Sequence, residues 1–322
     1  MNKLAVVGIG NWGKNHLRTF VSLLGENCVI ACDTDTGCLE RAQAQYPQLE
    51  TTTQIGDVLG DSSIDAVVIA TPAVTHHALA REALLAGRHV LVEKPIALTS
   101  REAEELVDIA KHKERILMVD HLLEYHPAIR KLKDLVDQGN LGKLLHLTSE
   151  RLNLGVIRSE ENALWSLTPH DISVILYLLG EEPIEVAAHG AAYLQPGIED
   201  VCYLTMRFAS GALGHVHVSW LDPIKTRRLT VVGERAMAVF DDVAQEKLRL
   251  FGKRAEKVGD TFRPVRGDEQ AIQIDPGEPL KEAAQTFLES IHTGTLPQSD
   301  GRDGLRVVRV LEAAQKLILI EG

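Results

Sequence analysis

Two short stretches carry residue types whose spacing could do chemistry. Gly8-Ile9-Gly10-Asn11-Trp12-Gly13 is a G-x-G-x-x-G that follows an apolar run, KLAVVG, and opens a helical pattern. Glycines at these positions permit a tight turn, close approach of the backbone to a pyrophosphate, and close helix packing, while the helix N-terminus supplies amide donors. The pattern alone is weak. Asp33, twenty residues after Gly13 at the end of the next apolar run, strengthens it, because a carboxylate there binds the ribose hydroxyls of a dinucleotide. Asp33 would repel a 2′-phosphate, and no arginine follows it in CDTDTG, so the expected cofactor is NAD rather than NADP.

The second stretch is VLVEKPIAL, residues 90–98, an apolar run that meets Glu93, Lys94 and Pro95. A dinucleotide laid across the carboxyl ends of parallel strands puts its reactive ring near later strand ends, where Thr71-Pro72 and Glu93-Lys94-Pro95 fall. A lysine there can donate to a substrate hydroxyl and favour its alkoxide, with Pro95 fixing the turn and Glu93 holding the ammonium. The alternative is a surface lysine that merely ends a strand.

These residues need elements to hold them. The runs at 3–8, 28–33, 65–71, 89–93 and 116–119 are short, β-branched and nearly continuous, as parallel strands buried on both faces are. Helical patterns at 15–24, 75–87 and 99–113 alternate with them; the second opens at Thr75 and closes at Gly87, the third opens at Thr99 or Ser100. Strand and helix in alternation predict a doubly wound parallel sheet. Past residue 120 the grammar changes: helices near 127–138 and 169–180 precede strands at 184–194, 201–208, 212–220, 227–233 and 236–242, whose short connections predict a mostly antiparallel sheet. The stretch 252–278 reads as loops and an edge strand, and 304–320 as a helix that docks back. The fold class is therefore α/β: an N-terminal domain over 1–120 and a C-terminal α+β domain over 121–322.

Composition excludes several functions. The chain of 322 residues carries a formal charge of -11, which disfavours nucleic acid and anionic membranes, both of which need a basic face. Cys28, Cys32, Cys38 and Cys202 follow no zinc or disulfide spacing and read as thiols of a reducing compartment. The first apolar run is too short for a signal peptide and no later stretch reaches membrane-spanning length, so a cytoplasmic protein is expected. His215 and His217 share one face of a strand; cross-strand packing is the expectation, and no metal is needed.

VVIATPAVTHHALAREALLAGRHVLVEKPIAL, with the G-x-G-x-x-G at the start of the chain, resembles the glucose-fructose oxidoreductase and inositol dehydrogenase family, Gfo/Idh/MocA. The T-P, T-H, A-G-x-H-V and E-K-P elements occur here in that family's order. The resemblance covers essentially the whole chain. It implies a Rossmann domain followed by an open-faced sheet that builds homo-dimers or homo-tetramers. It also implies Lys94 as the catalytic lysine, a cis Lys94-Pro95 peptide, and Thr71, Pro72, His76 and Glu93 near the nicotinamide.

The family places an Asp, then four residues later a His, at the start of a helix in the second domain. In NALWSLTPHDISVILYLLG the His is His170 and the earlier position is Ser166, a departure that leaves His170 without its usual partner. Asp171 is adjacent but reads as a helix cap pointing elsewhere. His170 can take a hydroxyl proton, with Lys94 as the competing base. Residues 151–173 and 197–233 look like the subgroup that oxidises the C3 hydroxyl of UDP-N-acetylglucosamine (UDP-GlcNAc) ahead of an aminotransferase in lipid A synthesis. Arg151, Arg158, Arg227 or Arg228 could then meet a diphosphate, Asn153 a sugar hydroxyl or acetamido group, and Trp165 a sugar face. Two alternatives stay open: the same fold acting on another sugar, a polyol or a UDP-hexuronate, and a non-catalytic sensor of NAD and a sugar.

Overall fold

A computed structural model describes residues 2–321, and the chain divides into two compact units. Unit 1 comprises Met1–Leu122 and Glu278–Arg309; unit 2 comprises Leu123–Gly277 and Val310–Gly322.

Unit 1 begins β1 (Lys3–Val7), α1 (Gly13–Leu24), β2 (Val29–Cys32), α2 (Thr36–Gln45), β3 (Glu50–Thr52), α3 (Ile55–Gly60), β4 (Ile64–Ile69), α4 (His76–Leu85), β5 (His89–Val92), α5 (Ser100–Lys113) and β6 (Leu117–Val119). The six strands form one sheet in the order β3-β2-β1-β4-β5-β6, with every pairing parallel. Leu4, Ala5, Val6, Ala66, Val68 and Val92 are fully buried, which is why these runs carry no polar alternation. Helix α1 turns His16, Leu17 and Phe20 inward; burying Phe20 alone is worth roughly 2–3 kcal/mol. Helix α5 starts at the capping box expected at Thr99: its hydroxyl accepts from the Glu102 N–H, and the Glu102 carboxylate accepts from the Thr99 N–H. Helix α4 starts one residue after Thr75, but the Thr75 hydroxyl makes no cap and donates instead to the Pro72 carbonyl.

Strand order reverses between β1 and β4, and at such a switch point the loops leaving the strand ends part and open a crevice. Gly8 and Ala70 stand at those two ends.

Unit 2 holds α6 (Pro127–Asp137), β7 (Leu144–Leu154), α7 (Ala163–Leu167), α8 (Pro169–Leu179), β8 (Pro183–Ala191), β9 (Val201–Phe208), β10 (Leu213–Ser219), β11 (Leu221–Gly233), β12 (Met237–Asp241), β13 (Leu248–Phe251), β14 (Arg254–Val258), β15 (Thr261–Val265) and β16 (Glu269–Ala271). Its main sheet runs β16-β13-β12-β11-β7-β10-β9-β8, antiparallel except where β10 meets β7. In β9 the residues Cys202, Leu204, Met206 and Phe208 are buried while Tyr203 and Arg207 are exposed, so one face forms the core and the other is open in this chain. The open face carries His215 and His217. His217 stacks on Tyr203 at 4.3 Å between ring centroids, and His215 shares a 3.1 Å hydrogen bond with the Thr205 hydroxyl, so the pair packs across strands.

Three sequence expectations change. The stretch 252–278 holds a hairpin, β14 with β15, as well as the edge strand β16. The strand expected to run to residue 194 ends at Ala191, because Asp200 captures the N–H groups of Tyr193 and Leu194 and bends the chain away. Helix α9 (Pro279–Thr293) belongs to unit 1, and α10 (Gly301–Glu321) runs from unit 1 residues into unit 2 residues.

Candidate active site

The dinucleotide turn is built by three glycines with three different duties. Gly8 has φ +81°, and a Cβ there would lie 2.8 Å from Thr71 Cγ2 and 2.9 Å from the Ala70 carbonyl, so the ends of β1 and β4 touch only because Gly8 has no side chain. At Gly13 an added Cβ would fall 1.8 Å from the Gly8 carbonyl oxygen, which fixes how closely α1 packs on the turn. Gly10 meets nothing within 4 Å. The open space over Gly10, in front of the first turn of α1, is the cradle a pyrophosphate would occupy. Asn11 and Trp12 flank it on the exposed side, with Trp12 at the N-cap and 45% exposed. Asp33 holds the turn from β2: its carboxylate accepts from the Ile9 N–H at 2.7 Å and the Asp35 N–H at 2.9 Å. Each oxygen keeps a lone pair for a ribose hydroxyl. The residues present therefore fit NAD.

At the end of β4, the Thr71 and Thr75 hydroxyls lie 2.6 Å apart. His76, expected beside the nicotinamide, is buried. Its ring spans from the Thr71 carbonyl, 2.8 Å from Nε2, to the Pro95 carbonyl, 2.7 Å from Nδ1, and so braces the β4 loop against the turn after β5. That turn contains a cis Lys94-Pro95 peptide. Glu93, expected to hold the Lys94 ammonium and acted on by its charge, also bonds inward: Oε1 lies 2.8 Å from His16 Nε2, and Oε2 accepts the backbone N–H of Lys94 at 3.2 Å.

Sequence reasoning missed the rest of this cluster. His16 Nε2 also lies 3.4 Å from Asp120 Oδ2, and both side chains are 1% exposed. Burial, the largest influence on the imidazole, works against its charge, but the bonds to Asp120 and Glu93 outweigh it and push His16 up to about 10. Two carboxylates share one imidazolium, so burial and the Asp120 charge push Glu93 upward. The available signal was a histidine three residues after Gly13, on the inward stripe of α1, and an aspartate closing the apolar run ILMV.

In unit 2 the residues expected to meet substrate are already paired. Asp171 is no helix cap; Thr168 holds that position. The Asp171 carboxylate receives Arg151 through Nε at 2.7 Å and a second nitrogen at 3.1 Å, and the Ser149 hydroxyl at 2.7 Å. Arg227 donates to the Leu152 carbonyl at 3.1 Å and to Asn153 Oδ1 at 2.9 Å, joining two of the predicted residues. Burial, then the Arg151 charge, lowers the Arg227 pKa. Arg228 faces Asp241 at 3.4 Å. Ser149, Arg151, Asp171, Arg227 and Asp242 line one pocket, which Arg228 meets through its backbone carbonyl, while its side chain leaves the opposite face of β11. Arg158 lies outside that group, exposed and paired with Glu161 at 3.1 Å. The Trp165 indole donates to Gln315 at 3.1 Å, while Asn162 caps α7 by accepting from the Trp165 N–H. His170 sits half-buried in the first turn of α8, and Ser166 is buried in α7.

The sequence matches an oxidoreductase family model with an NAD-binding Rossmann fold over residues 2–121, and the C-terminal model of the same family, GFO/IDH/MocA, over residues 129–239. The chain belongs to the Gfo/Idh/MocA family. Within it, the chain is 27% identical to UDP-N-acetylglucosamine 3-dehydrogenase of Acidithiobacillus ferrooxidans, covering 99% of this chain and 97% of that one. It is 26% identical to inositol 2-dehydrogenase 2 of Paenarthrobacter aurescens over 99% and 97% of the two chains. A solved structure of UDP-N-acetylglucosamine 3-dehydrogenase from Acidithiobacillus ferrooxidans superposes with a TM-score of 0.86 at 25% identity, covering 98% of this chain and 97% of that one. This Gfo/Idh/MocA protein is thus an NAD-binding oxidoreductase, and no helix among its described residues is long and apolar enough to cross a membrane.

Proposed function

We propose that the chain oxidises the C3 hydroxyl of UDP-GlcNAc to a ketone, with Lys94 as the catalytic residue. The observation that carries the chemistry is the position of Lys94 at the end of β5, on the side of the sheet where β1 and β4 present the dinucleotide turn. NAD, when bound, accepts a hydride. The chain's own part is to hold the substrate hydroxyl: the Lys94 ammonium donates to the oxygen and stabilises the negative charge that grows there, in a site where such a donor is worth more than in water. The hydroxyl proton goes to His170, or to Lys94 if Lys94 is neutral.

For the substrate, support comes from the full-length likeness to UDP-N-acetylglucosamine 3-dehydrogenase and from Arg151 and Arg227, paired across β7 and β11 on one face of the sheet beside Asp171 and Asp242. Arg227 with Asn153 is the preferred contact to a nucleotide sugar, since Arg151 is engaged by Asp171 and Arg228 lies on the opposite face of β11, paired with Asp241. On this reading the product feeds an aminotransferase on the way to lipid A, in the cytoplasm, and the open sheet face joins copies into a homo-dimer or homo-tetramer. The comparable likeness to an inositol 2-dehydrogenase supports a second reading, oxidation of a free polyol or another sugar.

UDP-GlcNAc deuterated at C3 separates these. Deuterium recovered in the reduced cofactor supports the first reading. Reduced cofactor without deuterium moves the reaction to another carbon, and turnover of inositol with none of UDP-GlcNAc favours the second.

A further inference from the structure

We propose that His16 is a positioning residue for Lys94: a buried imidazolium, locked between Glu93 and Asp120, that fixes the turn carrying the lysine. The proposal rests on the reading of Lys94 as catalytic.

The geometry forms a chain of bonds. His16 lies three residues past Gly13 in α1, so the helix that would receive the cofactor also carries the imidazole. Its Nε2 donates to Glu93 Oε1 at 2.8 Å, and the other Glu93 oxygen accepts the Lys94 backbone N–H at 3.2 Å. Asp120 closes the cluster from the end of β6, with its own N–H on the Val92 carbonyl at 2.9 Å. One carboxylate thus ties a helix to the lysine turn.

The two carboxylates favour a charged imidazole. Two carboxylates face one ring nitrogen, with side-chain exposures of 12% for Glu93 and 1% for Asp120, and buried anions without a countercharge are costly. The other charged or titratable groups facing the cluster are Lys94, which acts on Glu93, and His121, whose Nε2 lies 3.9 Å from Asp303 in the first turn of α10. Three potential ligand atoms also invite a metal reading. However, 2.8 Å between Nε2 and Oε1 is a hydrogen-bond distance, whereas two ligands at about 2.0–2.1 Å from a tetrahedral zinc stand roughly 3.3 Å apart. A proton fits between them better than a tetrahedral zinc does.

The sign of the coupling gives a test that mere structural support would not pass. Removing the His16 cation should raise the Lys94 pKa, and removing the Asp120 anion should lower it. The full-length, NAD-bound protein is compared as wild type, His16→Gln, Asp120→Asn and the double variant. Ring ¹⁵N shifts at pH 8 read His16 directly, and the ¹³Cε resonance of Lys94, assigned by its loss in Lys94→Ala, reads the lysine. The expected result is a charged His16, opposite Lys94 shifts in the two single variants, and a double variant lying between them. With UDP-GlcNAc, His16→Gln should lose roughly tenfold in kcat while KM and NAD affinity stay within about threefold. A neutral His16 at pH 8, or a Lys94 titration that ignores both substitutions, overturns the proposal. If His16→Gln does not fold, Asp120→Asn decides alone: the Lys94 pKa must fall. If the wild type ignores UDP-GlcNAc, the substrate reading fails, while the two resonances still decide the role of His16.

Discussion

The backbone N–H of Ile9, in the middle of the dinucleotide turn, donates to Oδ2 of Asp33 across 2.7 Å. The carboxylate that would read the ribose thereby also shapes the loop beneath the pyrophosphate. Asp33→Ala removes both functions, and NAD affinity should fall by about tenfold or more, while discrimination against NADP weakens. Calorimetric titration with NAD and with NADP measures both; unchanged NAD affinity would dissociate Asp33 from the cofactor.

The glycines separate folding from binding. Gly10→Ala adds a methyl group where nothing lies within 4 Å, so stability should move by less than about 0.5 kcal/mol while NAD binding weakens at least about tenfold. Gly13→Ala forces the methyl to 1.8 Å from the Gly8 carbonyl oxygen and should cost more than about 2 kcal/mol. Thermal melts of the two variants with and without NAD check the contrast. Equal loss of stability in both would mean that the space over Gly10 is filled.

The His16 cluster predicts a pH dependence of stability. A histidine held up to about 10, against 6.5 for the free group, favours the folded state fully below pH 6.5 and loses that contribution as pH rises toward 10. Glu93, also raised, acts in the same direction at lower pH. Urea midpoints of the wild type should decline between pH 7 and 10, and those of His16→Gln should decline less. Parallel profiles would place the proton elsewhere.

Asp200 is the corresponding anchor in unit 2. It is fully buried, yet its carboxylate accepts from the Trp220 indole and from the Tyr193 and Leu194 N–H groups. Burial pushes its pKa up, but these donors outweigh it and the pKa is lowered, so its contribution is present above the ordinary carboxylate range and disappears as pH falls through the lowered value. Asp200→Ala strands three donors and should cost roughly 2–4 kcal/mol in urea unfolding at pH 7. A loss below about 1 kcal/mol would show that water replaces the carboxylate.

Most of unit 1 was legible because parallel strands buried on both faces leave continuous apolar runs and the glycine turn has few alternatives. Strand β7 was not, since its inward positions include Ser149 and Arg151, which are stabilised there by Asp171 rather than by apolar packing. The same pairing hid the true role of Asp171, whose place near a helix start resembles a cap. His76 and Glu93 were recognised as site residues but assigned outward duties. Their partners, Pro95 and His16, lie 19 and 77 residues away, and only the assembled sheet brings them together.

NADH formation from NAD and UDP-GlcNAc, measured with a carbonyl trap in wild type and Lys94→Ala, tests the central claim most directly. Turnover in the wild type that falls by at least about a thousandfold in Lys94→Ala, with NAD affinity retained, is the predicted result. Turnover that survives the substitution would contradict the assignment of Lys94 as the catalytic residue.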